Sequence, residues 1–176
     1  RGDMEFGTAS MRPYVRGSII LKQASSGNTW SEVSDVRTVI DGQQRLTTMV
    51  IFFKALCARI DADRLFERDF VLETGEVALR HGKYDRQDFE KVVSATGCEP
   101  VEGSSSIVLA YNYFLKNIDP EKVDRNTIKS NVQFVCIDLT EGEDEQQIFD
   151  TINSLGVRLT TAELLKNYFF HRENAQ

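Results

Sequence analysis

Between Leu46 and Ile60 the apolar positions recur at helical spacing. Leu46, Met49, Val50, Phe53, Leu56, Cys57 and Ile60 fall at i, i+3, i+4, i+7, i+10, i+11 and i+14. Ile51, Phe52 and Ala55 widen the stripe, so the pattern predicts a long, central and mostly buried helix. Ahead of it, Ser18–Leu21 and Val36–Ile40 read as short strands. The polar stretch Gln23–Asp35 between them reads as a loop around Trp30, a residue that commonly covers a core edge and alternatively stacks on a base. Phe70–Leu72 and Val77–Arg80 read as two short strands about Thr74-Gly75-Glu76. Asp85 is predicted to cap a helix reaching about Ser94, and Ala95–Ser104, with Gly97, Pro100 and Gly103, a loop. A further helix is expected from Ser105, with Ile107, Tyr111, Phe114, Leu115 and Ile118 on one face and Pro120 beyond its end. Val132–Leu139 reads as a strand.

The last third carries denser local signals. Glu141, Glu143, Asp144 and Glu145 crowd a predicted helix start, where negative charge complements the macrodipole. This account is preferred to a metal site. Ile148, Phe149, Ile152 and Leu155 form that helix's apolar stripe, and Gly156 suits a left-handed C-terminal stop. Thr160-Thr161-Ala162-Glu163 is a capping box, flanked by Leu159 and Leu164 at the spacing of a hydrophobic staple. The predicted fold class is therefore α+β, dominated by helices with a small mixed β-sheet.

Length and composition narrow this little. The 176 residues suit one domain, 41% apolar and 27% charged. Glu5-Phe6, Gly7-Thr8 and Ala9-Ser10 are dipeptides that cloning sites encode, so Arg1–Ser10 read as a vector-derived scar and residues 11–176 as the domain. Without that scar's one basic and two acidic residues, 21 Lys+Arg and 27 Asp+Glu become 20 and 25, and the net charge moves from −6 to −5. An acidic chain argues against broad, non-specific phosphate binding, though not against a local basic site. Cys57, Cys98 and Cys136 show no CxxC spacing, and Cys57 and Cys136 fall in apolar patterns; this suits a reducing cytoplasm. His81 and His171 are isolated, so no His-based metal site is expected, and no run approaches a membrane span.

The chemistry centres on Asp41-Gly42-Gln43-Gln44-Arg45-Leu46-Thr47-Thr48, which follows a predicted strand and opens the long helix. The first N–H groups of a helix lack intrahelical partners and lie at the positive end of its dipole. Gly42 allows close approach to the backbone, and Arg45 offers a planar fork to phosphate oxygens. Thr47 and Thr48 add hydroxyls, while Asp41 or the glutamines would position water or a metal-bound phosphate. Asp41 with Gln44 also satisfies the capping pattern D-x-x-Q, which needs no ligand, and the residues alone leave both readings open.

The run Val39–Thr48 resembles the signature of the N-terminal domain of GmrSD-type modification-dependent restriction proteins. Phe149–Leu159, continuing through Glu163-Leu164-Leu165-Lys166-Asn167, resembles that family's other marked block, and Gly17–Leu21 its lead-in. The blocks stand in the family's order. The resemblance implies a fold similar to ParB and sulfiredoxin, with phosphate held at a helix start. It implies binding of GTP or ATP with Mg2+, and NTP hydrolysis coupled to cleavage of modified foreign DNA by a downstream HNH-type nuclease domain. Asp41, Gln44 and Arg45 would then be catalytic. Gly42, Gln43, Arg45, Thr47 and Thr48, with Asn153 and Arg158 at the later turn, would hold the nucleotide. Gly156 is explained by a helix stop, Lys166 by solvation; Asn153 and Arg158 are less well explained by packing. The family's usual upstream segment, with Tyr-Gln-Arg followed by Tyr and Trp, has no counterpart before Tyr14, so a truncated domain is expected, and this fragment is not itself expected to cut DNA. Two other classes remain: a non-catalytic module that senses modified DNA, and an inert scaffold or homo-oligomer half.

Overall fold

A computed structural model describes residues 14–23, 36–140, 142–144 and 147–149. The fold is α+β, with a small mixed sheet and a set of helices. The chain forms two compact units, Arg1–Gly42 with Lys129–Gln176, and Gln43–Ile128.

The first unit holds the sheet: β1 (Tyr14–Gln23), β2 (Arg37–Asp41) and β3 (Val132–Leu139), in the order β2-β1-β3. β1 is antiparallel to β2 and parallel to β3. Its register slips between Val15 and Ser18, where Gly17 adopts φ 117, a conformation open to glycine. A second irregularity between Ile20 and Leu21 sets Ile20 opposite Asp41. Ile19, Ile20 and Leu139 are buried. Arg37 of β2 reaches past the central strand, its Nε donating to Asp138 of β3 at 2.9 Å.

The second unit is helical: α1 (Gln43–Arg59), α2 (Asp63–Phe70), α3 (Arg86–Val93) and α4 (Ser106–Asn117). α5 (Arg125–Asn131) leads directly into β3. The apolar stripe of α1 is the axis of the core. Val50, Ile51, Phe53, Leu56 and Cys57 are buried against Phe66 of α2, Phe89 and Val92 of α3, and Val108, Tyr111 and Leu115 of α4. Phe52 meets Phe114 edge-on at 5.4 Å between ring centres, and Phe66 stacks on Phe70 at 5.0 Å. Ser105 caps α4, accepting from Val108 N.

Several polar groups lie within this helical core. Lys54 on α1 is 4% exposed, with Nζ 3.3 Å from Asp63 Oδ1 and 5.0 Å from the Phe66 ring centre. Asp63 in turn accepts from Gly97 N at 3.2 Å. Arg125 at the start of α5 pairs with Asp69 of α2, both nearly buried. The Tyr111 hydroxyl is buried, with no hydrogen-bond partner among the described residues.

Several expected elements differ. Asp63–Phe70, left unassigned by periodicity, is α2, and Phe70 ends it instead of opening a strand. The strand pair about Thr74-Gly75-Glu76 reduces to one bridge between Val71 and Val77, closed by Leu72 N on Glu76 O at 2.8 Å. Its flanks are too short and charged to sustain a ladder. Asp85 stands at the N-cap of α3 but in a helical conformation, and its side chain makes no cap bond. The unforeseen α5 starts after Asp124, whose Oδ2 accepts from Thr127 N at 2.6 Å. Cys136 is exposed despite its apolar neighbours. In the acidic run Asp144 is the capping residue, with Oδ1 accepting from Gln147 N at 3.1 Å and residues 147–149 helical. The stop at Gly156 and the Thr160–Glu163 box lie outside the described residues.

Leu56 is fully buried at the centre of the helical core. Leu56→Ala is expected to lower unfolding stability by about 2–5 kcal/mol, read from the denaturant midpoint at constant slope. Tyr111 supplies a second test. Burial, aided by the nearby Asp63 carboxylate and Cys98, pushes its phenol up to about 12. The folded value lies above the ordinary value of about 10, so folding favours the neutral phenol. That contribution is complete below about pH 10 and is lost as pH rises through the folded value. A tyrosinate absorbance titration should therefore show one late-titrating tyrosine, absent in Tyr111→Phe.

Candidate functional site

The segment singled out by sequence straddles a change of structure. Asp41 is the last residue of β2, half-buried and opposite Ile20. Gly42 follows with φ 97, a backbone conformation that a Cβ would strain. α1 then opens at Gln43. Asp41 and Gly42 belong to the sheet unit and Gln43–Thr48 to the helical unit. The helix bounds place Gly42 directly before α1 and Asp41 one residue further out.

Exposure alternates sharply through the first turn. Gly42 is buried, Gln43 and Gln44 are exposed, Arg45 is half-buried, Thr47 is buried and Thr48 exposed. The first turn of α1, like those of α4 and α5, contains no acidic residue, whereas α2 and α3 place Asp63 and Asp88 there. The longest helix of the unit thus carries Arg45, and no acid, within the turn where negative charge is favourable.

The two threonines work on the backbone. Thr47 Oγ donates to Gln43 O at 2.8 Å, and Thr48 Oγ donates to Gln44 O at 2.7 Å. Each hydroxyl commits its single proton one turn back, keeping its lone pairs for another partner. For Thr47 that partner is His81, with Nε2 3.2 Å from the same oxygen. Sequence reading missed this contact, since 34 residues separate the pair and no spacing rule links them. The imidazole packs on Phe89 at 4.2 Å between ring centres. Burial lowers the His81 pKa, and the opposing pull of Asp85 is weaker. On its other side a cavity of about 340 Å³ is lined by Glu76, Arg80, His81, Arg86, Phe89 and Glu90, among others.

Asn153 and Arg158 lie outside the described residues, as do Lys166 and Asn167. Among the described residues no three His, Cys, Asp or Glu side chains converge as a metal site. None of the helices among the described residues is long and apolar enough to cross a membrane.

Fold and site together define an α+β domain in which a sheet strand passes through a left-handed glycine into the start of a buried helix. The chain belongs to the family of the GmrSD restriction endonuclease N-terminal domain, which it matches over residues 5–170. That membership assigns it to restriction machinery. No curated protein and no solved structure matches the chain.

The Thr47 hydroxyl lies within hydrogen-bond distance of both Gln43 O and His81 Nε2; with its proton on Gln43 O it accepts from a His81 protonated on Nε2. Nitrogen-detected NMR should show a neutral His81 with its proton on Nε2, titrating below the ordinary histidine value of about 6.5. Because folding favours the neutral ring, its contribution is present above about pH 6.5 and is lost as pH falls through the folded pKa.

Proposed function

We propose that this domain binds a nucleoside triphosphate, GTP or ATP, with Mg2+ at the start of α1, and that it hydrolyses the nucleotide in the intact restriction protein. The observation that carries this reading is the first turn of α1: open at Gln43 and Gln44, free of acid, and bearing Arg45. An entering phosphate would meet the helix dipole and the Arg45 fork together. Family membership supports the restriction setting. The acidic balance of the chain, −6, weighs against a DNA-sensing module that relies on non-specific phosphate contacts.

In this reading the Gly42–Gln43 backbone and Arg45 hold the phosphates. Gln44 and Asp41 would orient the attacking water or Mg2+, whose charge would offset that developing on the phosphate oxygens. Thr47 and Thr48 keep the first turn in register through their carbonyl bonds. Asn153 and Arg158 of the second sequence block, outside the described residues, are the further candidates for nucleotide binding. Water attacks the γ-phosphorus and the β–γ bridging bond breaks, leaving nucleoside diphosphate and phosphate. The domain's part is to position the groups and stabilise charge on the transferring phosphoryl group. Coupling to DNA cleavage falls to a nuclease domain of the HNH type.

Calorimetry with Mg2+-GTP and Mg2+-ATP decides the point. Arg45→Ala should weaken binding about 10–100-fold, the loss expected of a charge-assisted contact. Removing Mg2+ with a chelator should weaken it further. Saturable binding that survives Arg45→Ala unchanged would place the nucleotide elsewhere. Failure to bind either nucleotide, with steeply salt-dependent binding of modified duplex DNA, would favour the sensing module instead.

A further inference from the structure

We infer that His81 is a positioning residue for the first turn of α1, acting through Thr47, and so sets the alignment of the phosphate-binding backbone. In its bearing on ligand binding, this rests on the reading given under Proposed function.

Thr47 lies one turn into α1, 6% exposed. Its hydroxyl donates to the carbonyl of Gln43, the first residue of the helix, at 2.8 Å. His81 Nε2 lies 3.2 Å from the same oxygen, and with the hydroxyl proton on Gln43 O the ring nitrogen is the donor. A hydroxyl that accepts one hydrogen bond donates a stronger one, so the two bonds reinforce each other along the line His81–Thr47–Gln43. That line ends at the peptide whose orientation determines where the first N–H groups of α1 point.

His81 is itself held from two sides. Its ring packs on Phe89 of α3, 2% exposed. Its carbonyl accepts from Arg86 Nε at 3.3 Å, and Arg86 N bonds to Gly82 O at 3.1 Å. The residues between the Val71–Val77 bridge and α3 thus form a strap tied to α3, from which His81 reaches the start of α1. A histidine serving only as core filling would need no partner on α1. This one places Nε2 within hydrogen-bond distance of a threonine of the candidate motif.

The test uses inorganic triphosphate as ligand and three variants of the chain. His81→Leu keeps an apolar side chain against Phe89 and removes the donor. His81→Gln restores a donor of similar reach. Thr47→Val removes the relay. The expected result is about tenfold weaker triphosphate binding in His81→Leu, the size of one hydrogen bond's contribution, with most of the affinity recovered in His81→Gln. The double variant His81→Leu/Thr47→Val should bind no more weakly than Thr47→Val alone, since both act on one line. Amide hydrogen exchange is read in parallel. The Thr47 amide, bonded to Gln43 O by helix geometry, should exchange about tenfold faster in His81→Leu, while the Tyr111 amide in α4 is unchanged. Unchanged triphosphate affinity in a folded His81→Leu overturns the inference, as does an additive double variant. If the unaltered chain binds no triphosphate, the nucleotide reading falls on its own. The Thr47 exchange rate then still decides the positioning role: faster exchange upholds it and an unchanged rate overturns it.

Discussion

Helix α1 has to satisfy two opposed demands. From Val50 to Ala58 it is buried almost all round, and α2, α3 and α4 pack on it. Its first turn, only a few residues earlier, remains open to solvent at Gln43 and Gln44. Burial fixes the direction of the axis, and the axis fixes where the dipole's positive end emerges. The emerging end is therefore held by the whole core, which is what an anion-binding backbone needs if it is not to reorganise on binding.

The polar groups inside the helical unit tie neighbouring elements to that axis. Lys54 belongs to the buried stretch of α1 and meets Asp63 at the start of α2. Asp63 also accepts from Gly97, fixing the loop before α4. Arg125 and Asp69 join α5 to α2. Such pairs contribute little net stability against an apolar replacement, since desolvation offsets most of the Coulomb attraction. Breaking one side is costly, about 3–5 kcal/mol for a fully buried pair, so they select one arrangement of helices over its alternatives. Cys57 illustrates the same environment: burial pushes its thiol up despite the nearby guanidinium of Arg125. Its apolar packing makes it a core residue, not a nucleophile.

How much could be read in advance depended on the range of the interaction. Seven apolar residues from Leu46 to Ile60 repeat at helical spacing, and α1 forms there. Ser105 was legible as a cap, and Val132–Leu139 as a strand. Asp63–Phe70 was not legible, because its stripe of Leu65, Phe66 and Phe70 is short and interrupted by five charges. Asp124 could have been read as a cap, with Thr127 three residues on, but no apolar run followed it to mark a helix. In the candidate site the position of Gly42 and the helix start were legible, since both are local. The burial of Thr47 and its bond to His81 were not, since they depend on how α3 returns to α1. The roles of Asn153 and Arg158 rest on the family's second block, which lies outside the described residues.

The central claim is that the opening turn of α1 receives a polyphosphate. Backbone amide NMR of the chain during titration with inorganic triphosphate tests it most directly. The account predicts saturable shifts concentrated on Gly42 through Arg45, carried on to Thr47 and His81. Saturation with no change in this segment, or with changes confined to Arg80 and Arg86 around the cavity by α3, would contradict it.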